Sequence, residues 1–337
     1  MMQRKEIQLI VTLVLVLIWS PATGAQKDAK NGDKAREESL SAVVWHDPGD
    51  VSILNLLYGA GGKERAPDPN GKFTFVKEDL DGSSAKFNIQ DENGVEWKVK
   101  LGEETQSETA ATRLLWAVGY FVDEDYYLED FKVQGLPKLS RGRSSVSADG
   151  TVHRARLERS RKNIEQLGNW NWLRNQCGST KELNGLRVMM AFVNNWDLKV
   201  TNNSLEEVDG QRRCVVTDMG ATFGKTGDIL NRSKSVAKEY AASKFISKVT
   251  PESVDLVLHS RPFFLAVINI PYYRNRTRME KITKRIPRAD ARWMGQRLAL
   301  LSVTQIHDSF RAAGYTPEQI DVYTKAVQSR IAQLNAL

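Results

Sequence analysis

The sequence predicts an α+β fold in which a small β-rich part precedes a larger, mostly helical part. Three observations carry this reading. Residues 72–101 hold strand patterns separated by turn residues, residues 107–119 carry a helical pattern, and most of the chain after a loop at 138–153 has helical spacing.

The first segment stands apart from the fold. Arg4 and Lys5 precede an apolar run from Leu9 to Trp19, and Ser20-Pro21-Ala22-Thr23-Gly24-Ala25 comes next. A basic start, a short apolar core and a small-residue exit predict a secretory signal over residues 1–25. The run is shorter than the ~20 apolar residues a membrane anchor needs. Residues 26–40 are polar and without apolar period, and read as a flexible linker. The expected location is therefore exported, periplasmic or extracellular, with no membrane span after cleavage. Hydrophobic content of 41% and charged content of 26% are ordinary for a soluble globular chain of 337 residues. The net charge of +7, to which the leader adds one, suits acidic partners such as phosphates but does not specify nucleic acid.

Within the β-rich part, Lys72-Phe73-Thr74-Phe75-Val76-Lys77 alternates with period two. Asp81-Gly82-Ser83-Ser84 turns it into a second strand, Lys86–Gln90, and Asn93-Gly94 predicts a tight turn into a third, Val95–Leu101. On that third strand Trp97, Val99 and Leu101 share one face, and Lys98 and Lys100 the other. Ser107–Gly119 is a helix with a terminal glycine. Later, Glu182–Asn194 reads as a buried helix, Arg292–Ala313 as another, and Thr316-Pro317-Glu318 as a helix start.

The chemistry-bearing stretch is Asp197-Leu198-Lys199-Val200-Thr201-Asn202, succeeded by a hairpin turning at Asp209-Gly210 and then Asp218-Met219-Gly220. A helix ends in a polar loop holding Asp197 and Asn202, and the hairpin returns Asp218 beside them. Two carboxylates and an amide supply the hard oxygen donors that Mg²⁺ prefers. D-L-K-x-x-N, a hairpin and D-x-G together resemble the catalytic and metal-binding loops of protein kinases. The resemblance implies that Asp197 is the catalytic base, Lys199 neutralises the transferring group, Asn202 and Asp218 hold the metal, and Gly220 keeps the turn open.

Upstream, Gly82-Ser83-Ser84-Ala85-Lys86-Phe87 resembles the glycine-containing phosphate loop of HipA-like kinases. The resemblance assigns the nucleotide-phosphate contact to Lys100, with Lys98 as the alternative, and makes Glu108 its ion-pair partner. The chain is thus similar to the protein-kinase-like superfamily, closest in pattern to HipA-like and phosphoinositide-kinase-like members. That implies a bilobal fold: an N-lobe over 41–131 and a C-lobe over 132–337, with the catalytic and metal loops at 194–224. The implied function is an exported phosphotransferase using Mg²⁺ and ATP, or another phosphate ligand, on an unknown protein or small-molecule acceptor. The alternative is a catalytically inactive kinase-fold binding protein of the cell envelope. Departures from the kinase pattern are Trp196 before Asp197, Met219 in place of Phe, and no full G-x-G-x-x-G.

Other features have plainer readings. Cys177 and Cys214 are expected to be two separately buried thiols, with a single bridge as the alternative. Trp170, Asn171 and Trp172 read as packing rather than as a sugar platform. The basic run Arg274, Arg276, Arg278, Lys281, Lys284 and Arg285 reads as a solvated face. His46, His153, His259 and His307 are scattered and form no metal pattern.

Overall fold

Alternating apolar residues close the β-rich part on itself. The computed structural model describes residues 42–337 apart from 162, 179, 228–231, 259–266 and 268. The expected leader, the linker and His259 therefore lie outside the described residues. Strands β1 (Phe73–Asp79), β2 (Lys86–Asp91), β3 (Glu96–Lys100), β4 (Asp125–Gln134) and β5 (Thr151–Arg159) form a closed barrel in the order β1-β2-β3-β5-β4. Closure is made by β1 pairing parallel to β4, with Phe73 opposite Val133. Inward positions carry Phe73, Phe87, Ile89, Trp97, Val99, Phe131, Val152 and Leu157, all buried in one apolar cluster. Burying such a set, at roughly 1.5–3 kcal/mol for each large side chain, drives closure.

The barrel differs from the sequence expectation in its last two strands. β4 runs past residue 131, where the expected β-rich part ends, and β5 lies wholly beyond it. The reason is local. Arg154, at φ +53°, breaks the period of two between Val152 and Ala155, and backbone pairing with β3 and β4 makes the segment a strand.

Helix α1 (Glu104–Ala117) crosses from the barrel to the second apolar cluster, which holds Leu114, Leu186, Phe192, Phe223, Phe310 and Tyr323. Around this cluster stand α2 (Lys181–Phe192), α3 (Ala237–Ala242), α4 (Ile270–Ile282), α5 (Arg288–Leu298), α6 (Val303–Arg311) and α7 (Pro317–Asn335). The expected hairpin is present as β7 (Asn203–Val208) and β8 (Gln211–Val216), joined by β6 (Glu165–Gly168). A second small sheet, β9 (Ile246–Val249), β10 (Ser253–Leu256) and β11 (Ile286–Pro287), departs from the expected helical part. The one helix expected over 292–313 is two helices. Ser302 starts α6 with a reciprocal cap: Gln305 N donates to Ser302 Oγ at 3.1 Å and Ser302 N donates to Gln305 Oε1 at 2.9 Å. Thr316 and Gln319 make the same cap at the start of α7.

Helix α7 anchors the loops that come after α2 and β8. Arg330 is 3% exposed. Its Nη1 donates to the carbonyls of Ala191 (3.1 Å) and Phe192 (2.7 Å) and to Asn194 Oδ1 (2.8 Å), so the unpaired carbonyls at the end of α2 are satisfied. Tyr323 Oη donates to the Phe223 carbonyl at 3.2 Å, and Tyr240 Oη to that of Phe192 at 2.8 Å. Trp170 and Trp172 are buried, with ring centroids 4.5 Å apart, so they are packing residues. In the basic run Arg274, Arg278, Lys281 and Arg285 are exposed, whereas Arg276 turns inward.

Cys177 and Cys214 form a disulfide, which corrects the expectation of two separate thiols. Nothing in the sequence fixes their distance; the packing of the segment before α2 against β8 does. The bond closes a loop of sequence separation 37. In the chain-entropy description such a closure stabilises the fold by about 3–4 kcal/mol. Replacing both residues, Cys177→Ser with Cys214→Ser, is expected to lower the unfolding free energy by about 3 kcal/mol in urea titrations. An unchanged midpoint would contradict a structural role for the bond.

Candidate functional site

The site is organised around one buried amine. On β3, period-two alternation sends Trp97 and Val99 into the barrel and leaves Lys100 on the face beneath α1. Lys100 is only 3% exposed. Glu104 and Glu108 are four residues apart and so lie one above the other on the same face of α1. Lys100 Nζ reaches Glu104 Oε2 at 2.8 Å, Glu108 Oε2 at 2.9 Å and Asp218 Oδ1 at 3.0 Å. Burial works against the lysine's charge, but Glu108, Asp218 and Glu104 outweigh it and its pKa is raised. Lys98 is half-buried and lines the same cleft without these partners.

Glu108 is more deeply enclosed. Burial pushes its carboxyl pKa up, against the pull of Arg156 and Lys100. Arg156 on β5 lies 3.3 Å from Glu108 Oε1 and 2.8 Å from Glu158 Oε2, which extends the network across the barrel wall. Glu104 is less enclosed. Burial opposes its charge, yet Lys100 and Lys234 hold its pKa down at about 2. Lys234 Nζ lies 2.8 Å from Glu104 Oε1.

The loops after α2 and β8 are held side by side by their backbones. Thr217 N donates to the Asn202 carbonyl at 3.1 Å, Trp196 N to that of Ala221 at 3.3 Å, and Phe223 N to that of Val193 at 2.8 Å. Asn194 makes the turn out of α2 with φ +56°, its Nδ2 donating to the Gly224 carbonyl at 2.6 Å. Asp197 Oδ2 accepts from Lys199 Nζ at 2.8 Å, and Asn202 Nδ2 donates to the Asp197 carbonyl at 2.8 Å. Gly220 stands near Asp218 for lack of space: a Cβ there would sit 2.6 Å from Glu104 Cβ. The two departures in this region are structural. Trp196 Nε1 donates to the Ser233 carbonyl at 3.0 Å, and Met219 is fully buried, with its sulfur accepting from Asn195 Nδ2 at 3.4 Å.

Gly82 turns between β1 and β2 with φ +67°, a conformation glycine adopts without strain. Ser84 Oγ donates to Glu104 Oε2 at 3.3 Å, Lys86 pairs with Asp79 at 3.4 Å, and Arg141 Nη1 donates to the Gly82 carbonyl at 2.6 Å. The turn is thereby fastened above the start of α1.

Of the residues singled out in the sequence, Gly82, Ser83, Ser84, Lys86, Lys100, Glu108, Asp197, Lys199, Asn202 and Asp218 line one cleft of about 870 Å³, and Gly220 does not. The sequence reading missed Glu104, Arg156, Asp123, Glu158, Arg161 and Glu206, which line it too. Glu104 carried a signal, its i,i+4 spacing from Glu108. The others did not, because their partners are distant in sequence. Asp123 is pushed well above the usual carboxylate range by burial and by Glu158.

Among the described residues no group of three or more His, Cys, Asp or Glu could hold a metal ion by itself. Asn202 and Asp218 nevertheless suit Mg²⁺, which takes one or two protein oxygen ligands and completes its shell with water and phosphate. The Asn202 amide nitrogen is engaged by the Asp197 carbonyl, which leaves its oxygen as a donor, and the Asp218 side chain is 45% exposed. No described helix is long and apolar enough to cross a membrane.

Two expectations test this geometry. Lys100→Met removes one partner of a buried ion network and should cost about 3 kcal/mol of stability in urea unfolding, whereas Lys98→Met should cost under about 1 kcal/mol. Equal effects would mean that the buried node is not structural. The depressed Glu104 pKa contributes stability that is present above the ordinary value of 4.5 and lost as pH falls from 4.5 toward 2. In acid titrations, the stability gap between the protein and Glu104→Gln should close over that interval; a gap independent of pH would refute the assignment.

No protein-family model matches the chain, and no curated protein matches it. Among solved structures it is similar to the Helicobacter pylori proinflammatory kinase CtkA, with a TM-score of 0.45, 10% identity, and coverage of 80% of this chain and 98% of that one. It is also similar to the Golgi casein kinase with Mn/ADP bound, with a TM-score of 0.32, 9% identity, and coverage of 94% and 93%. A third similar structure is an apo pseudokinase, with a TM-score of 0.24, 12% identity, and coverage of 81% and 96%.

Proposed function

We propose that the chain is an exported kinase-like phosphotransferase that binds a phosphate ester with a divalent cation and transfers a phosphoryl group to an unidentified acceptor. One observation carries this reading: Lys100 lies at 2.9 Å from Glu108 and 3.0 Å from Asp218, with Asp197 and Asn202 on the same cleft. The two apolar clusters are taken as the two lobes, and the cleft as the space between them.

In this reading Lys100 is the amine that contacts the donor phosphates, and Glu108 holds it in place. Asn202 and Asp218 would hold Mg²⁺, which supplies charge neutralisation for the phosphates when bound. Asp197 accepts the proton of the acceptor hydroxyl as that oxygen bonds to phosphorus and the bond to the leaving phosphate breaks. Lys199, 2.8 Å from Asp197, is placed to offset the negative charge developing on the transferred group. The Ser83-Ser84 turn is placed to cover the phosphates from above. ATP is the donor that the kinase resemblance implies.

A second reading has its own support. Disulfides such as Cys177–Cys214 persist chiefly in oxidising compartments, which supports an exported setting poor in nucleoside triphosphates. There the same cleft would serve a kinase-fold binding protein without transfer. Thermal melting of the purified protein with Mg²⁺ and a nucleotide triphosphate separates binding from no binding, since a bound ligand stabilises the folded state. Asp218→Ala is expected to abolish the metal-dependent rise in melting temperature, and Asp197→Ala to keep it while abolishing transfer of labelled phosphate. Ligand-induced stabilisation without any transfer by the unaltered protein would favour the second reading; no stabilisation at all would defeat both.

A further inference from the structure

Helix α4 and the turn after it concentrate positive charge. Between Arg274 and Arg285 stand six cations, Arg274, Arg276, Arg278, Lys281, Lys284 and Arg285, against the single acid Glu280. That net +5 lies in a chain whose whole net charge is +7. Met279 and Ile282 are buried and mark the inward face of the helix. On the opposite face Arg274, Arg278 and Lys281 recur at i, i+4 and i+7, so their exposed side chains form one stripe. Arg285 is exposed just past the helix end. Among the described residues none of these four side chains pairs with a carboxylate. The Glu280 side chain is 13% exposed and lies 3.9 Å from Lys284 Nζ. Toward β9, Lys284 Nζ donates to Ser247 Oγ at 3.3 Å, and the exposed Lys248 stands opposite Asp255. Asp255 Oδ1 accepts from the Arg285 backbone N at 2.7 Å.

A solvated face ordinarily mixes charges of both signs. Helix α7 does so, with Glu318, Asp321 and Lys325 all exposed. The α4 stripe holds one sign only, and like charges at i,i+4 weaken a helix. Attraction of cations to a helix C-terminus accounts for Lys281 but not for Arg274, which lies in the first half of α4. Aliphatic side chains adjoin the charge: Val267 is 74% exposed and Ile270 49%. Ile270 is four residues before Arg274 and therefore shares its face. A soluble polyanion would gain little from Ile270, whereas a bilayer takes cations at its headgroups and aliphatic groups at its acyl boundary. We infer that this face of α4 docks on an anionic lipid surface, with Arg274, Arg278, Lys281 and Arg285 on lipid phosphates and Ile270 at the acyl boundary. None of these residues lines the Lys100 cleft, so docking does not depend on phosphoryl transfer.

The test is co-sedimentation of the purified full chain with lipid vesicles. Phosphatidylcholine vesicles holding about 30% phosphatidylglycerol should bind it about a hundredfold tighter than phosphatidylcholine alone, the scale of several cations near an anionic surface. The neutral vesicles set a baseline that includes any contribution of the apolar Leu9–Trp19 run. Arg274→Gln, Arg278→Gln and Lys281→Gln together should bring binding to within about tenfold of that baseline. Lys77→Gln, Lys138→Gln and Lys325→Gln remove the same net charge at exposed positions elsewhere and should leave most of the preference intact. Ile270→Ser should weaken vesicle binding about threefold or more while leaving binding of inorganic polyphosphate unchanged. All seven positions are exposed, and an unchanged melting temperature shows that each variant is folded. No preference for the anionic vesicles, or equal losses in the two triple variants, overturns the docking face. Vesicle binding indifferent to Ile270→Ser also overturns it, by assigning the cations to a soluble polyanion instead.

Discussion

A single amine buried among carboxylates sets the arrangement of the cleft. Lys100 belongs to the barrel, Glu104 and Glu108 to α1, and Asp218 to the loop after β8, so one side chain fixes three elements at distances of 2.8 to 3.0 Å. A charge removed from water is tolerated only when its partners are close and well placed. That requirement draws α1 down onto β3 and holds the Asp218 loop beneath α1. Ser107 strengthens the same junction, its Oγ donating to the Gly220 carbonyl at 2.7 Å while its own carbonyl accepts from Thr222 Oγ1 at 3.1 Å. Gly220 is then unavoidable, because the approach to Glu104 leaves no room for a side chain.

The opposite side of the site is held by a different kind of contact. Arg330 sits nineteen-twentieths or more buried at the end of α2 and replaces water for carbonyls that the helix itself cannot satisfy. Its guanidinium also stacks 4.1 Å from the centre of the Tyr240 ring. The polar loop carrying Asp197 and Asn202 thus rests on a rigid base made of α7 and α3. Precision in the loop comes from packing far along the chain rather than from the loop residues alone.

How much of this is legible in the sequence depends on how local each constraint is. The meander β1–β2–β3 is readable because neighbouring strands alternate and turn at Gly82 and Gly94. Asp197, Asn202 and Asp218 are readable because their residue types recur at short, fixed spacings, and the structure brings them to one cleft. By contrast, Arg154 breaks the alternation of β5, so its pattern resembles a loop. Asp123 and Glu206 look like surface acids until Arg161 is placed between them. The break between α5 and α6 is marked by Ser302 and Gln305, a capping signal that an unbroken apolar period conceals. The Cys177–Cys214 bond depends on tertiary packing, which composition does not reveal.

The disulfide also has a topological consequence. Its ring encloses α2, the Asp197–Asn202 loop and the whole of β7, and it ends four residues before Asp218. One peptide bond cut anywhere inside that ring leaves a two-chain molecule whose halves stay covalently joined. A protease that nicks the exposed Asp209-Gly210 turn would therefore release neither half.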